Sequence, residues 1–203
     1  YTTLFRSADH VLVQQEKKPP VENRPLQSYF SEPRFVEAVY PASDDAQDKT
    51  IVGINWLTKE ASGDAMALRV LDQVLMATDA SPLKDALLQS GLCRAADSGL
   101  YINRPQIPYL LYIDGCSADS AKKIDAFVLA TLSKIAQEGI PQAAVERAIA
   151  KIEFDEYERG LGKGPFGLQL LQSCAIGKLY GLDVADCFTC SEQLSQVKAR
   201  LAA

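Results

Sequence analysis

The sequence predicts an α+β fold, with a mostly antiparallel sheet and helices packed on one face. Three observations carry this. Strand-like runs come first, a helical stretch follows, two more strand-like runs return, and a series of helices closes the chain. That order suits an antiparallel sheet covered on one face better than alternating βαβ units. Apolar residues in the helical stretches recur at i, i+3, i+4 and i+7, which gives each helix one face to bury. The 203 residues, 47% hydrophobic and 23% charged, fall in the globular range and suffice for one large core.

Taken in order, residues 14–33 carry four prolines and mixed charges without a sustained period, so they read as a linker. Phe35–Tyr40 and Thr50–Thr58 are β-prone, and the acidic ASDDAQDK between them suggests a hairpin. Ile51, Val52, Ile54, Trp56 and Leu57 make the second run almost continuously apolar, which predicts a central strand. Asp64–Met76 has helical spacing, with Leu68, Leu71, Val74 and Leu75 on one face. The next stretch, ATDASPLKDALLQSGL, specifies both ends of a short helix. Ser81 suits the N-cap, Pro82 the first turn and Gly91 a left-handed stop, with Leu83, Leu87 and Leu88 facing the sheet.

Cys93–Tyr101 and Tyr109–Gly115 read as two further strands. Ser117 then opens a long helix whose inner face is Ile124, Phe127, Val128, Thr131, Leu132 and Ile135, stopped by Gly139. A helix restarts near Pro141 with Val145, Ala148, Ile149 and Ile152 inward. The glycine-rich RGLGKGPFG interrupts, LQLLQSCAIGKLYG resumes helical spacing, and Ser191–Leu201 forms a last helix.

Charge and composition exclude several classes. Twenty-one Lys and Arg against 26 Asp and Glu give a net charge of −5 without a basic block, so no nucleic-acid partner is expected. No window approaches the ~20 apolar residues of a membrane span, so no membrane partner is expected either. Five cysteines are an odd number for a secreted disulfide framework and favour a reducing compartment. The chain opens on Tyr1 and not on methionine, which suggests a piece of a longer polypeptide.

Four features could carry chemistry, and each has a plainer explanation. His10 is the single histidine and precedes the linker, so the compact region lacks imidazole for a two-His zinc site, a Ser-His-Asp triad or a His-paired cysteine. Cys187 and Cys190 have CxxC spacing, but Cys116 and Cys174 do not supply the second pair of a zinc corner, and the segment does not follow a strand. Gly160, Gly162, Gly164 and Gly167 surround Lys163, yet a phosphate loop would need a glycine where Tyr157 stands and a hydroxyl where Gly164 stands. Glu153, Asp155, Glu156 and Glu158 form an acidic helix segment, which ordinarily serves solubility and i,i+4 pairing. No catalytic, cofactor-binding or metal-ligating residue is therefore assigned to this chain.

DKTIVGINWL (Asp48–Leu57), LDQVLMATDASPLKDALLQSGL (Leu71–Leu92) and IEF (Ile152–Phe154) before a glycine-bearing loop resemble, in order, the pitrilysin/insulinase-type zinc metallopeptidases. The similarity is to their presequence protease and falcilysin branch and runs from about Phe30 onward. It implies a four-part enzyme whose homologous α+β domains form two halves of a clamshell around an enclosed chamber. This chain resembles the second, non-catalytic part. The inverted zinc motif belongs to the first part, and the Arg and Tyr that assist at the substrate carbonyl belong to the last.

By this resemblance, residues 1–33 are the end of a preceding domain with its linker, and residues 34–203 are a peptidase-like domain that supplies chamber wall and domain packing. Zinc would sit in the full-length metalloendopeptidase and not in this fragment, which would be inactive by itself. Its partners would be the other domains of the polypeptide and unstructured peptide substrates. The compartment would be cytoplasmic in a bacterium, or the interior of a mitochondrion or plastid. The alternative is a stand-alone, catalytically dead subunit acting as an interaction module. A third option is a redox protein built on Cys187 and Cys190.

Overall fold

The computed structural model describes residues 26–41, 49–60, 65–102, 104, 106–158, 165–181 and 190–202. Among them, β1 (Thr50–Glu60), β2 (Ala95–Leu100) and β3 (Gln106–Cys116) form one antiparallel sheet in the order β1-β3-β2. The helices are α1 (Ala65–Met76), α2 (Pro82–Gln89), α3 (Ala121–Glu138), α4 (Gln142–Glu158), α5 (Phe166–Leu179) and α6 (Ser191–Ala202). The architecture is the α+β class that the order of segments predicts.

Two details of the sheet differ from the sequence reading. Among the described strands β3 is central and β1 lies at an edge. The apolar run in β1 has another cause. Val52 is buried toward the helices and Trp56 packs against the same core, while Ile51 on the opposite face is exposed, so apolar residues occupy both faces although only one is covered.

The second difference is Phe35–Tyr40, which forms no strand. The chain around it, from Tyr29 to Tyr40, is nevertheless tied to β1 near both ends of that strand. The Tyr29 hydroxyl donates to the Thr58 carbonyl at 3.3 Å, and the Tyr40 hydroxyl donates to that of Lys49. Gln27 and Gln106 exchange two hydrogen bonds at 2.8 and 2.9 Å at one end of this track. Phe35, Val36 and Val39 are exposed, so pairing gains no burial for them. Pro33 and Pro41, which bracket the run, cannot donate to a ladder.

The described residues build two cores. In the first, α2 and α3 cover the sheet: Leu83, Leu87, Ile124 and Val128 meet Val52, Ala96, Leu111 and Ile113. In the second, α1, α4 and α6 meet through Met66, Val70, Val74, Val145, Ala148, Ile149, Ile152, Leu194 and Val197. Helix α1 joins them, because Leu75 and Met76 belong to the first core. This double duty moves its buried face away from the expected one. Met66 and Val70 are buried, whereas Leu71 is exposed. On α4 all four residues expected inward are buried.

The α2 cassette is arranged as its ends require, with one change. Pro82 occupies the first turn, and Gly91 follows the helix with φ 69°. Ser81 stands at the N-cap in extended conformation but makes no side-chain bond to the helix. Its hydroxyl instead turns back and accepts from the Thr78 backbone N–H at 3.1 Å, which closes the preceding turn. At the other end the Ser90 hydroxyl donates to the Leu87 carbonyl at 2.6 Å. Leu83 and Leu87 are fully buried and Leu88 is half-buried.

A bulge near the end of β3 re-aims the chain. Thr50 pairs with Cys116 while Val52 pairs with Ile113, so β3 holds one extra residue there. Gly115 sits in the bulge with φ 73°. The extra residue changes the in-out parity, and Cys116, three residues after the buried Ile113, also enters the core.

Candidate functional site

Pairing in the sheet separates its residues into two faces. The side chains of Val52, Trp56, Ala96, Tyr109, Leu111 and Ile113 point toward the first core. The other face carries Gly53, Tyr112 and Asp97 in one cross-strand row and Asn55, Leu110 and Gly99 in the next. Ile51, Gly53, Asn55, Asp97 and Tyr112 on it are exposed, and Leu57, Gly99 and Leu110 are half-buried. Glycines flank the Tyr112 and Leu110 rows, so backbone is presented beside an aromatic and an aliphatic side chain. The Tyr112 ring lies close over Gly99, where an added Cβ would stand 3.4 Å from it. The arrangement offers apolar contact, with no nucleophile among these residues.

At one end of the covered face a polar cluster closes the core. Tyr109 stacks on Trp56 with ring centroids 6.0 Å apart. Its hydroxyl and the Oδ1 of Asp72, on α1, are buried close to each other, with Ser98 on β2 beside them. Burial pushes the Tyr109 phenol well above its ordinary value, and the nearby Asp72 carboxylate adds to the shift. A raised folded-state value means stability that is complete below the ordinary tyrosine range and lost as pH climbs above it. Tyr109→Phe is therefore expected to be somewhat less stable near pH 7, because it leaves the buried Asp72 carboxylate without the phenol beside it. It should also lose less stability above about pH 10, by at most about one proton. Urea midpoints measured from pH 8 to pH 11 check this, and parallel curves for the two proteins contradict it.

The residues singled out in the sequence do not converge. Glu153 pairs with Lys198 of α6 at 2.6 Å, Asp155 with Lys151, and Glu156 with Arg69 of α1 at 3.0 Å. The acidic stretch thus ties α4 to its neighbours. Cys190 is half-buried beside the second core. Burial raises the Cys93 thiol, and Cys116 near it adds to this, a direction that reduces thiolate and nucleophilicity. Among the described residues, no group of three His, Cys, Asp or Glu side chains could hold a metal ion. His10, Cys187, Gly160, Gly162, Lys163 and Gly164 lie outside the described residues.

The open sheet face is the feature that sequence reasoning missed. In β3 the inward Ile107, Leu111 and Ile113 alternate with Pro108, Leu110 and Tyr112, so apolar residues stand at both parities and hide the period of two. Gly53 and Gly99, opposite Tyr112 and Leu110, were the available signal.

Comparison with known proteins gives this arrangement a family. Residues 8–152 match the family described as the peptidase M16 inactive domain. Presequence protease 1, chloroplastic/mitochondrial, from Arabidopsis thaliana is 34% identical over 183 residues, covering 87% of this chain and 17% of that protein. The chain thus spans less than a fifth of that relative. Among solved structures, the inactive peptidase domain of a proposed zinc protease from Bordetella parapertussis has a similar fold. It aligns with a TM-score of 0.55 and 18% identity, covering 72% of this chain and 82% of that one. A protease from Helicobacter pylori aligns with a TM-score of 0.56 and 17% identity, over 71% of this chain and 38% of its own. The helix-backed antiparallel sheet and the match over most of the chain place this protein in the family of peptidase M16 inactive domains.

Proposed function

We propose that this chain is a non-catalytic domain of a zinc metalloendopeptidase that degrades unstructured peptides, and that its open sheet face forms part of the wall of an enclosed chamber. The observation that carries the reading is the asymmetry of the sheet. One face is covered by α2 and α3, and the other leaves Tyr112 and Gly53 exposed, with Leu110 and Gly99 half-buried beside them. An extended peptide can meet such a surface through apolar contact without a deep side-chain pocket. Specificity would then come from chamber size, since a closed wall admits extended chains and rejects folded ones. Zinc, in this reading, is held by another domain of the full-length enzyme. The mitochondrial and chloroplast setting of the Arabidopsis relative supports an organelle interior as the compartment.

The test uses the full polypeptide that carries this domain, with its zinc chelated so that substrate survives. A benzophenone side chain is placed either at position 112 on the open face or at position 129 on α3, where Leu129 is exposed among the helices. Irradiation with an extended peptide is expected to label it from position 112 and not from position 129. Equal labelling from both positions, or none from 112, would remove the chamber-wall reading.

A further inference from the structure

Helix α5 has two apolar seams on opposite sides. Leu170, Ser173, Cys174 and Gly177 share one side at i, i+3, i+4 and i+7, and they are half-buried or buried. Leu168, Leu171, Ala175 and Leu179 align on the opposite side, at about 100° per residue. This outer seam is open to solvent, with Leu168 51%, Leu171 64% and Leu179 44% exposed. A helix that faces water on one side carries polar residues there, whereas one that is apolar all round is buried. Lys178 is the single charged residue in its fourteen. It follows that the environment in which α5 evolved covers both sides.

A lipid surface does not fit this composition. No described helix is long and apolar enough to cross a membrane. An interfacial helix needs a strongly charged outer face, which α5 lacks. A second copy of this chain does not fit either. Four side chains along about 16 Å of helix fall well short of the ~20 residues per side of a stable interface between separate molecules. A small seam is sufficient when its partner is tethered, because linkage replaces bulk concentration by a high effective one. More than four fifths of the Arabidopsis relative lies outside the stretch this chain aligns with, so ample polypeptide exists to supply the cover.

We propose that the outer seam of α5, Leu168–Leu171–Ala175–Leu179, is a docking ridge buried by an apolar helix from another domain of the same polypeptide. The spacing of three and four residues presents one straight ridge, the form that fits the groove of a second helix. Ala175 at its middle lets the two backbones approach. The seam's lack of charge requires an uncharged centre in the partner helix. The inference rests on the reading of this chain as one domain of a longer polypeptide, but not on what the sheet face contacts. Loss of labelling from position 112 would therefore leave it standing.

Hydrogen exchange of residues 166–179 in the full polypeptide, compared with the 203-residue chain alone, tests it. Exchange is expected to be at least about tenfold slower in the full polypeptide, independent of protein concentration, with a monomeric sedimentation coefficient. Leu171→Glu should abolish the difference and Leu171→Gln should reduce it. Both substitutions fall on an exposed side chain of this domain, so near-native exchange elsewhere confirms that folding is intact. Equal exchange in the two proteins overturns the proposal. Protection that grows with concentration together with a doubled mass overturns it in favour of self-association.

Discussion

Replacing Leu87 by alanine is expected to lower the unfolding free energy by about 3–4 kcal/mol, the middle of the range for truncating a leucine in a packed core. Leu87 is fully buried. It belongs to the core where α2 and α3 close over Leu111 and Ile113 of the central strand. The lost transfer energy and any cavity left behind both count. Against a total of about 5–15 kcal/mol for a typical domain, the variant should melt well below the parent. Leu88, one residue on and half-buried, is the control and should cost about 1 kcal/mol when truncated. Urea unfolding of both variants measures the contrast, and equal losses would mean that α2 does not pack as described.

Gly115→Ala is the second substitution with a large expected effect, about 2–4 kcal/mol. Two causes combine. The φ of 73° is strained for a residue with a Cβ. An added Cβ would also lie 2.5 Å from the Cβ of Arg94 and 3.2 Å from its backbone nitrogen. The Arg94 N–H donates to the Asp114 carbonyl at 2.9 Å, so Arg94 cannot retreat without breaking the pairing of β2 and β3. Gly139→Ala isolates the first cause. Its φ is 78°, but nothing lies within 4 Å of the added atom, and a loss of about 1 kcal/mol is expected. Denaturant midpoints for the two variants should differ clearly. Coincident midpoints would show that the bulge yields to the extra atom.

The helices were legible because each signal was local. Proline at position 82 and glycines at 91 and 139 mark ends through backbone conformations that neighbours do not change. Likewise Val145, Ala148, Ile149 and Ile152 define a single buried stripe. Leu71 was misplaced because α1 serves two cores, and a pattern of apolar residues does not say how many surfaces it must cover. The sheet was harder. Whether β1 is central depends on which strand pairs with which, and β3, more than forty residues later, takes the middle position. The hairpin over Phe35–Tyr40 failed for a related reason. Propensity was present, but Phe35, Val36 and Val39 are exposed, and the hydroxyl of Tyr40 ties the end of the segment near β1 without a ladder.

The candidate face was barely visible in sequence. Apolar residues at both parities of β3 look alike until helices cover one set and leave the other open. The family resemblance, by contrast, was carried by short ordered stretches whose residues needed no tertiary context. Composition, helix ends, the lack of histidine in the compact region and the kinship to inactive peptidase domains were thus determined by the sequence itself, since each depends on residue identity or on near neighbours. Tertiary structure decided the central strand, the double role of α1, the bare sheet face and the open seam of α5. Each of those depends on which surfaces distant segments bury, and burial is a property of the assembled fold.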